Sequence, residues 1–152
     1  MKMLHSASFV AIFLFSLIPQ PASSDEVNLG FKINSGTYDI PVQFPELGTR
    51  NLTLDTGASY TVLDRKDVQK IPGLIERKSN INLFLPFDGK AVPASFVIVP
   101  YMRIGDCILR DRSVVVTDLP IGRFGALGMN DLEELTPFTF IGDGKFRFHC
   151  PS

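Results

Sequence analysis

Short runs of hydrophobic residues, separated by turn-forming residues, make up most of this chain after residue 24. Within many runs apolar and polar positions alternate, which is the period of a strand with one buried face. Pro, Gly, Asn and Asp occupy the breaks, as turns between short strands require. The pattern predicts strands at residues 31–33, 38–44, 52–54, 60–63, 81–85, 95–99, 101–104, 107–109, 113–117, 138–141 and 146–148. The predicted fold class is therefore all-β.

One or two short helices interrupt the predicted strands. Asp64 can cap a helix that includes Val68 and continues to residue 71, where Pro72-Gly73 ends it. One or two helical turns are also predicted at residues 131–135. The strongest hairpin signal is the tetrapeptide Phe87-Asp88-Gly89-Lys90, because Asp-Gly suits a two-residue turn whose twist matches its strands.

The composition indicates a single folded domain. Hydrophobic residues make up 45% and charged residues 20% of 152 residues, which excludes a disordered chain. Thirteen Phe and no Trp predict a core of Phe, Leu, Ile and Val. The net charge of −1 gives no reason to expect nucleic acid or an anionic membrane as a partner.

Residues 1–24 are organised like a secretory signal peptide, with a basic start, an apolar block at residues 9–18 and small residues at the exit. Cleavage is predicted before Asp25, which leaves residues 25–152 as one exported domain in the periplasm or outside the cell. The competing interpretation is an uncleaved anchor. The apolar block is far shorter than the roughly 20 residues that span a bilayer, so no stable membrane anchor is expected.

Cys107 and Cys150 are the only cysteines, and both lie in the predicted exported domain. In an oxidising compartment two cysteines often pair, and a disulfide between them is one interpretation. A bridge between subunits and two free buried thiols are the alternatives. With His149 as the only histidine of that domain, the cysteines make a poor zinc site, and no metal or cofactor is expected.

The candidate chemistry lies in the stretch Asp55-Thr56-Gly57-Ala58-Ser59. Leu52 and Leu54 precede it with strand alternation, and Gly57 allows the chain to turn sharply. A carboxylate at the end of a buried strand is costly unless it is hydrogen-bonded or shares a proton. An ordinary turn is the simplest alternative, since Asp and Gly are common turn residues.

This stretch resembles the active-site loop of retropepsin-like aspartic proteases, and three further features follow in the order of that family. These features are the Asp88-Gly89 hairpin, the Ile104-Gly105 turn before a Val-rich strand, and Ala126-Leu127-Gly128 before a short helix. The chain is most similar to exported, single-domain bacterial-type members. The resemblance implies a closed β-barrel that is active as a two-fold homodimer.

The resemblance also implies a role for each matching residue. Asp55 is the catalytic carboxylate, and each of two subunits supplies one, because the chain has a single Asp-Thr-Gly sequence. Thr56, Gly57 and Ala58 support the active-site loop. A flap that covers an extended peptide or protein substrate corresponds to Phe87, Asp88, Gly89 and Lys90. The residues that pack beneath the active-site loop are Leu127 and Gly128.

Two rival interpretations remain at this stage. The same dimeric fold could bind peptides or a protein partner without turnover, although an intact Asp-Thr-Gly argues against a decayed site. An unrelated exported β-protein could carry the tripeptide by chance, although the ordered features argue against that. A Ser-His-Asp or Cys-His site would have to use His149, close to the end of the chain.

Overall fold

The computed structural model describes residues 24–28, 30–32, 36–74, 76–85, 89–142 and 144–150. The strands are β1 (Ser24–Asn28), β2 (Gly30–Lys32), β3 (Thr37–Phe44), β4 (Gly48–Leu54), β5 (Val62–Asp64), β6 (Arg77–Leu85), β7 (Lys90–Ile104), β8 (Cys107–Thr117), β9 (Gly125–Leu127), β10 (Thr139–Ile141) and β11 (Lys145–His149). The helices are α1 (Arg65–Val68), α2 (Met129–Leu132) and a 3₁₀ turn (Glu133–Leu135).

The strands form two sheets, and the larger one closes on itself. Eight strands pair in the order β2-β3-β4-β9-β5-β8-β7-β6, and an additional pairing joins β3 to β7 through Gln43 and Arg103. A ring of hydrogen-bonded strands therefore runs from β3 through β4, β9, β5, β8 and β7 back to β3. A smaller sheet has the order β1-β11-β10. This architecture confirms the predicted all-β fold with short helices.

The core follows from strand alternation. In β3 the side chains of Ile40, Val42 and Phe44 are buried, whereas Pro41 and Gln43 between them are more exposed. Each fully buried side chain of this size contributes about 1.5–3 kcal/mol relative to an exposed one. The largest buried side chains also include two Phe residues of β11, as the Phe-rich composition predicted.

Four predicted strands merge into two in the structure because of long-range pairing. Residues 95–99 and 101–104 were predicted as separate strands, but β7 is one strand from Lys90 to Ile104. Pro100 fits because its neighbours Val99 and Tyr101 pair on either side of Asp111, whose positive φ of 51° marks a local irregularity in β8. In the same way, predicted strands 107–109 and 113–117 are both parts of β8.

The bounds of the two helical segments differ from those that the sequence predicted. Asp64 occupies the N-cap position of α1 but does not cap it, and its carboxylate Oδ1 instead accepts the amide hydrogen of Leu119 at 3.3 Å. The helix ends at Val68, not at residue 71. The C-terminal helical segment begins at Met129, two residues before the predicted start, and ends at Leu135 as predicted.

The sequence pattern missed β1, because its residues alternate poorly and its partner β11 lies at the other end of the chain. Strand β1 begins at Ser24, next to the predicted cleavage point, while residues 1–23 of the predicted signal peptide lie outside the described residues. Among the described residues, no helix is long and apolar enough to cross a membrane.

Candidate active site

Strands β4 and β9 position Asp55. The two strands run parallel, with Thr53 opposite Ala126 and Leu54 opposite Leu127. The ladder continues one step beyond β4, since the amide of Asp55 donates to the carbonyl of Leu127 at 3.0 Å. Asp55 thus lies at the end of a paired strand, and the hydrogen bond to Leu127 of β9 fixes its main chain.

The loop after Asp55 turns back on the carboxylate. The amide of Gly57 donates to Asp55 Oδ1 at 2.9 Å, and the amide of Ala58 donates to the Asp55 carbonyl at 3.2 Å. An ideal Cβ on Gly57 would lie 3.2 Å from Asp55 Oδ1, so a side chain there would crowd the carboxylate. Asp55 is half-buried, whereas Thr56 and Gly57 are exposed. The carboxylate is therefore oriented by the backbone and remains accessible to a water molecule or a substrate.

Residues 127–130 pack against the active-site loop and hold it by hydrogen bonds. Gly128 crosses directly behind Tyr60 and Thr61, and its amide donates to the buried hydroxyl of Thr61 at 3.0 Å. The next two amides, of Met129 and Asn130, donate to the carbonyls of Ala58 at 2.8 Å and Ser59 at 3.1 Å. The structure thus brings Leu127 and Gly128 against the loop that carries Asp55.

Asn130 is a supporting residue that the sequence interpretation missed. Its side-chain Oδ1 accepts the amide hydrogen of Thr61 at 2.7 Å, and its Nδ2 donates to the carbonyl of Ser113 at 3.0 Å. The side chain therefore ties the end of the active-site loop to β8. A polar residue directly after Leu127-Gly128-Met129, at a helix start, was the available signal.

A partly buried ion pair lies next to Asn130. Arg112 of β8 donates from Nε to Asp131 Oδ1 at 2.6 Å, from Nη1 to Glu134 Oε1 at 2.9 Å and from Nη2 to the Asn130 carbonyl at 2.7 Å. Asp131 is 0% exposed. Burial raises the pKa of its carboxyl above the ordinary value, and the hydrogen bond from Arg112 opposes that rise. Sequence patterns did not reveal this pair, because its members belong to separate elements.

Strands β6 and β7 form the predicted hairpin. Leu85 pairs with Lys90, and Gly89 before it has a positive φ of 66°, a conformation that favours glycine. Phe87 and Asp88 lie outside the described residues. At the base of the hairpin, Phe96 packs edge-on against Tyr60 with ring centroids 5.3 Å apart. This contact places the base of the hairpin beside the active-site loop.

The two cysteines lie outside the loop that carries Asp55. Cys107 opens β8 and is buried, and Cys150 follows β11 and is half-buried. In the part of the chain that the structure describes, no group of three or more His, Cys, Asp and Glu side chains could hold a metal ion.

Comparison with known proteins gives one family and a consistent fold. A family model described as aspartyl protease matches residues 40–130. A retropepsin-like aspartic protease from Rickettsia conorii has a TM-score of 0.59 at 19% identity, covering 86% of this chain and 93% of that chain. The EIAV protease in complex with the inhibitor HBY-793 has a TM-score of 0.51 at 17% identity, covering 68% of this chain and 92% of that chain. The comparison with curated proteins gave no match.

Proposed function

Because the chain belongs to the aspartyl protease family, we propose that it is an aspartic endopeptidase in which Asp55 of two subunits activates a water molecule. The position of Asp55 is the observation that carries the proposal. Its main chain is fixed by Leu127 of the parallel strand β9, while its carboxylate is held by the Gly57 amide in a half-exposed position. A general base needs this combination of fixed orientation and access.

Peptide hydrolysis of this kind requires two carboxylates that hold one water molecule between them. One carboxylate takes a proton from the water, and the protonated partner donates to the carbonyl oxygen of the peptide. Two carboxylates about 4 Å apart repel each other by about 4 kcal/mol at an effective dielectric constant near 20. This repulsion favours one shared proton between the two carboxylates, an arrangement that supplies the base and the acid together.

A homodimer provides the second carboxylate. The sequence contains one Asp-Thr-Gly, and the described domain is a single closed sheet with a small second sheet. Proteins with the retropepsin-like fold are typically active as dimers. A two-fold axis near Thr56 and Gly57, which are both exposed, would bring the two active-site loops together. In this arrangement the hydroxyl of Thr56 braces the partner loop.

The substrate in this proposal is an extended peptide segment that lies between the active-site loops and the β6–β7 hairpin. The hairpin acts as a flap that closes over the peptide, which is the role that the sequence resemblance assigns to Phe87, Asp88, Gly89 and Lys90. The contact between Tyr60 and Phe96 supports this placement, because it joins the hairpin base to the active-site loop. An extended peptide would be held mainly by main-chain hydrogen bonds, with alternate side chains in pockets.

Cleavage of a peptide library between about pH 4 and pH 7 tests the proposal. The parent protein should cleave, and Asp55→Asn should not, while both remain dimeric by analytical ultracentrifugation and equally stable to urea. The Asn side chain keeps the shape and still accepts the Gly57 amide, so any loss of cleavage reports the chemistry. Cleavage by Asp55→Asn at the parental rate would refute the mechanism. A folded dimer that never cleaves would favour the non-catalytic peptide-binding alternative.

Export is a separate part of the proposal and rests on the sequence of residues 1–24. The protein should be recovered from the periplasm or the medium with Asp25 as its first residue. N-terminal sequencing of the exported protein measures this directly. Recovery of the uncleaved chain in the membrane fraction would support the anchor interpretation instead.

A further inference from the structure

The two cysteines lie far apart in the sequence but close together in the fold. Cys107 directly follows the turn Gly105-Asp106 that joins β7 to β8, and it is 2% exposed. Cys150 directly follows β11 and packs against the hydrophobic core that contains Cys107. Besides burial, the neighbouring thiol of Cys150 contributes to the raised pKa of Cys107, so the two side chains are close to each other.

Backbone interactions that involve neither thiol bring the two segments together. Strand β1 pairs with β11 along its length, with Asp25 opposite Phe148. The carboxylate of Asp25 accepts a hydrogen bond from the amide of Asp106, immediately before Cys107, and another from Glu26 at 2.8 Å. Asp25 therefore anchors the end of the β1–β11 ladder to the β7–β8 turn. The cysteines are placed together by this anchor before any bond forms between them.

We propose that Cys107 and Cys150 are a redox site, at which a disulfide bond ties the end of β11 to the start of β8. The two thiols differ in a way that sets the order of reaction. Cys150 is half-buried and reachable, whereas burial raises the pKa of the Cys107 thiol to about 12. Cys150 is therefore the first to react with an oxidant.

A low-molecular-weight disulfide such as glutathione disulfide is the oxidant. The Cys150 thiolate attacks one sulfur, forms a mixed disulfide and releases the first thiolate. Cys107 then gives up its proton to that thiolate and attacks the Cys150 sulfur, which displaces the second thiolate. The two thiol protons of the protein end on the two small thiols. The protein is oxidised by two electrons and the small disulfide is reduced by two.

The bond should stabilise the protein by restricting the unfolded chain. It closes a loop from residue 107 to residue 150, which contains all of β8 together with β9, β10 and β11. Loss of a cross-link of this span is expected to lower Tm by roughly 10 °C. Reduction should also loosen β11, the central strand of the β1-β11-β10 sheet.

The experiment uses the full chain incubated with glutathione disulfide, then alkylated and digested without reductant. On a denaturing gel without reductant, the oxidised chain should run as a monomer. Mass spectrometry of that monomer should detect a peptide in which Cys107 is joined to Cys150. Addition of a phosphine reductant should lower the Tm of the parent by roughly 10 °C and leave the Tm of Cys150→Ser unchanged. Cys150 lies at the rim of the core, so this variant is the milder of the two single substitutions. Cys107→Ala serves as the second variant, and it should also be insensitive to reductant.

Two results would overturn the proposal. One is alkylation of both thiols in the folded protein after prolonged exposure to glutathione disulfide, with no cross-linked peptide. The other is a reducible dimer on the denaturing gel whose cross-linked peptide joins Cys150 to Cys150, which would assign the residue to a bridge between subunits. Neither result bears on Asp55, so the disulfide and the protease proposals fail independently.

Discussion

Gly128→Ala is the sharpest test of how the active-site loop is supported. An ideal Cβ at Gly128 would lie 2.7 Å from the amide nitrogen of Thr61 and closer still to the carbonyl group of Tyr60. All three atoms belong to the backbone, so no side-chain rotation can relieve the contact. Either residues 60–61 or the chain at Gly128 must move.

The magnitude follows from separating the steric and conformational effects of the added methyl group. Gly128 has φ −97° and ψ 176°, which any L residue can adopt, so backbone strain contributes nothing. Overpacking against fixed atoms costs about 3 kcal/mol, at the upper end of the usual range. The lower entropy of alanine in the unfolded chain offsets about 0.7 kcal/mol of this cost. The expected loss of unfolding free energy is therefore about 2 kcal/mol.

Gly142→Ala is the matched control. An alanine Cβ at Gly142 would meet no atom within 4 Å, and the backbone there is not in the left-handed region. This variant should gain about 0.5 kcal/mol from the unfolded state alone. Urea denaturation of both variants should therefore separate them by nearly 3 kcal/mol. Peptide cleavage should also fall in Gly128→Ala, because a shift of Tyr60 and Thr61 moves the loop that carries Asp55.

Equal urea midpoints for Gly128→Ala and Gly142→Ala would refute the reasoning. That result would mean that β9 and the active-site loop can separate at negligible cost. The close crossing of Gly128 behind the loop would then not hold the loop in place.

Three further predictions concern the side chains behind the loop. Thr61→Val removes the acceptor of the buried Gly128 amide and should cost about 1–3 kcal/mol in urea denaturation. Arg112→Met leaves the buried Asp131 without its cation and should cost about 3 kcal/mol at neutral pH, a loss that shrinks in acid. Since burial raises the pKa of Asp131, its contribution to stability is complete below about pH 3.8 and is lost as pH rises through the folded-state pKa. Asp131→Asn lacks this dependence, so its stability relative to the parent should increase from acid to neutral pH.

Each of these predictions has its own control. Thr49→Val changes an exposed threonine of β4 and should stay within about 0.5 kcal/mol of the parent. The double variant Arg112→Met/Asp131→Asn should recover most of the stability that Arg112→Met loses, because no buried charge remains. A double variant no more stable than Arg112→Met would show that the arginine acts through packing alone. A parent and Asp131→Asn with parallel pH profiles would contradict the effect of burial on Asp131.

Local sequence signals were sufficient for most strands and for the loop that carries Asp55. Alternation located β3 and β6, because one face of each strand packs inward and the other does not. The Gly105-Asp106 turn was predictable because a positive φ at Gly105 is needed there and glycine adopts it readily. Asp55 was recognisable because it directly follows a strand and is followed, after Thr56, by the flexible residue Gly57.

The features that were missed depend on residues far apart in the chain. Pro100 would end an isolated strand, but in β7 it lies where β8 is locally irregular at Asp111. Strand β1 forms because it pairs with β11, which lies near the other end of the chain. The pairing of Arg112 with Asp131 joins β8 to α2, and neither local stretch shows that its charge has a partner. Patterns of period two or 3.6 carry no information about such contacts.

Long-range contacts also hold the active-site loop, because they fix both of its ends. One end of the loop is fixed at Asp55 by the Leu127 carbonyl, and the other at Thr61 by the Asn130 side chain. Leu127 and Asn130 are three residues apart, so a short, stiff segment sets the separation of the two ends. Asn130 is in turn fixed by Arg112, whose charge is neutralised by Asp131 and Glu134. The ends of the loop that carries Asp55 are therefore held by residues outside the loop, and substitutions among these residues should lower peptide cleavage although the Asp55 carboxylate itself is unchanged.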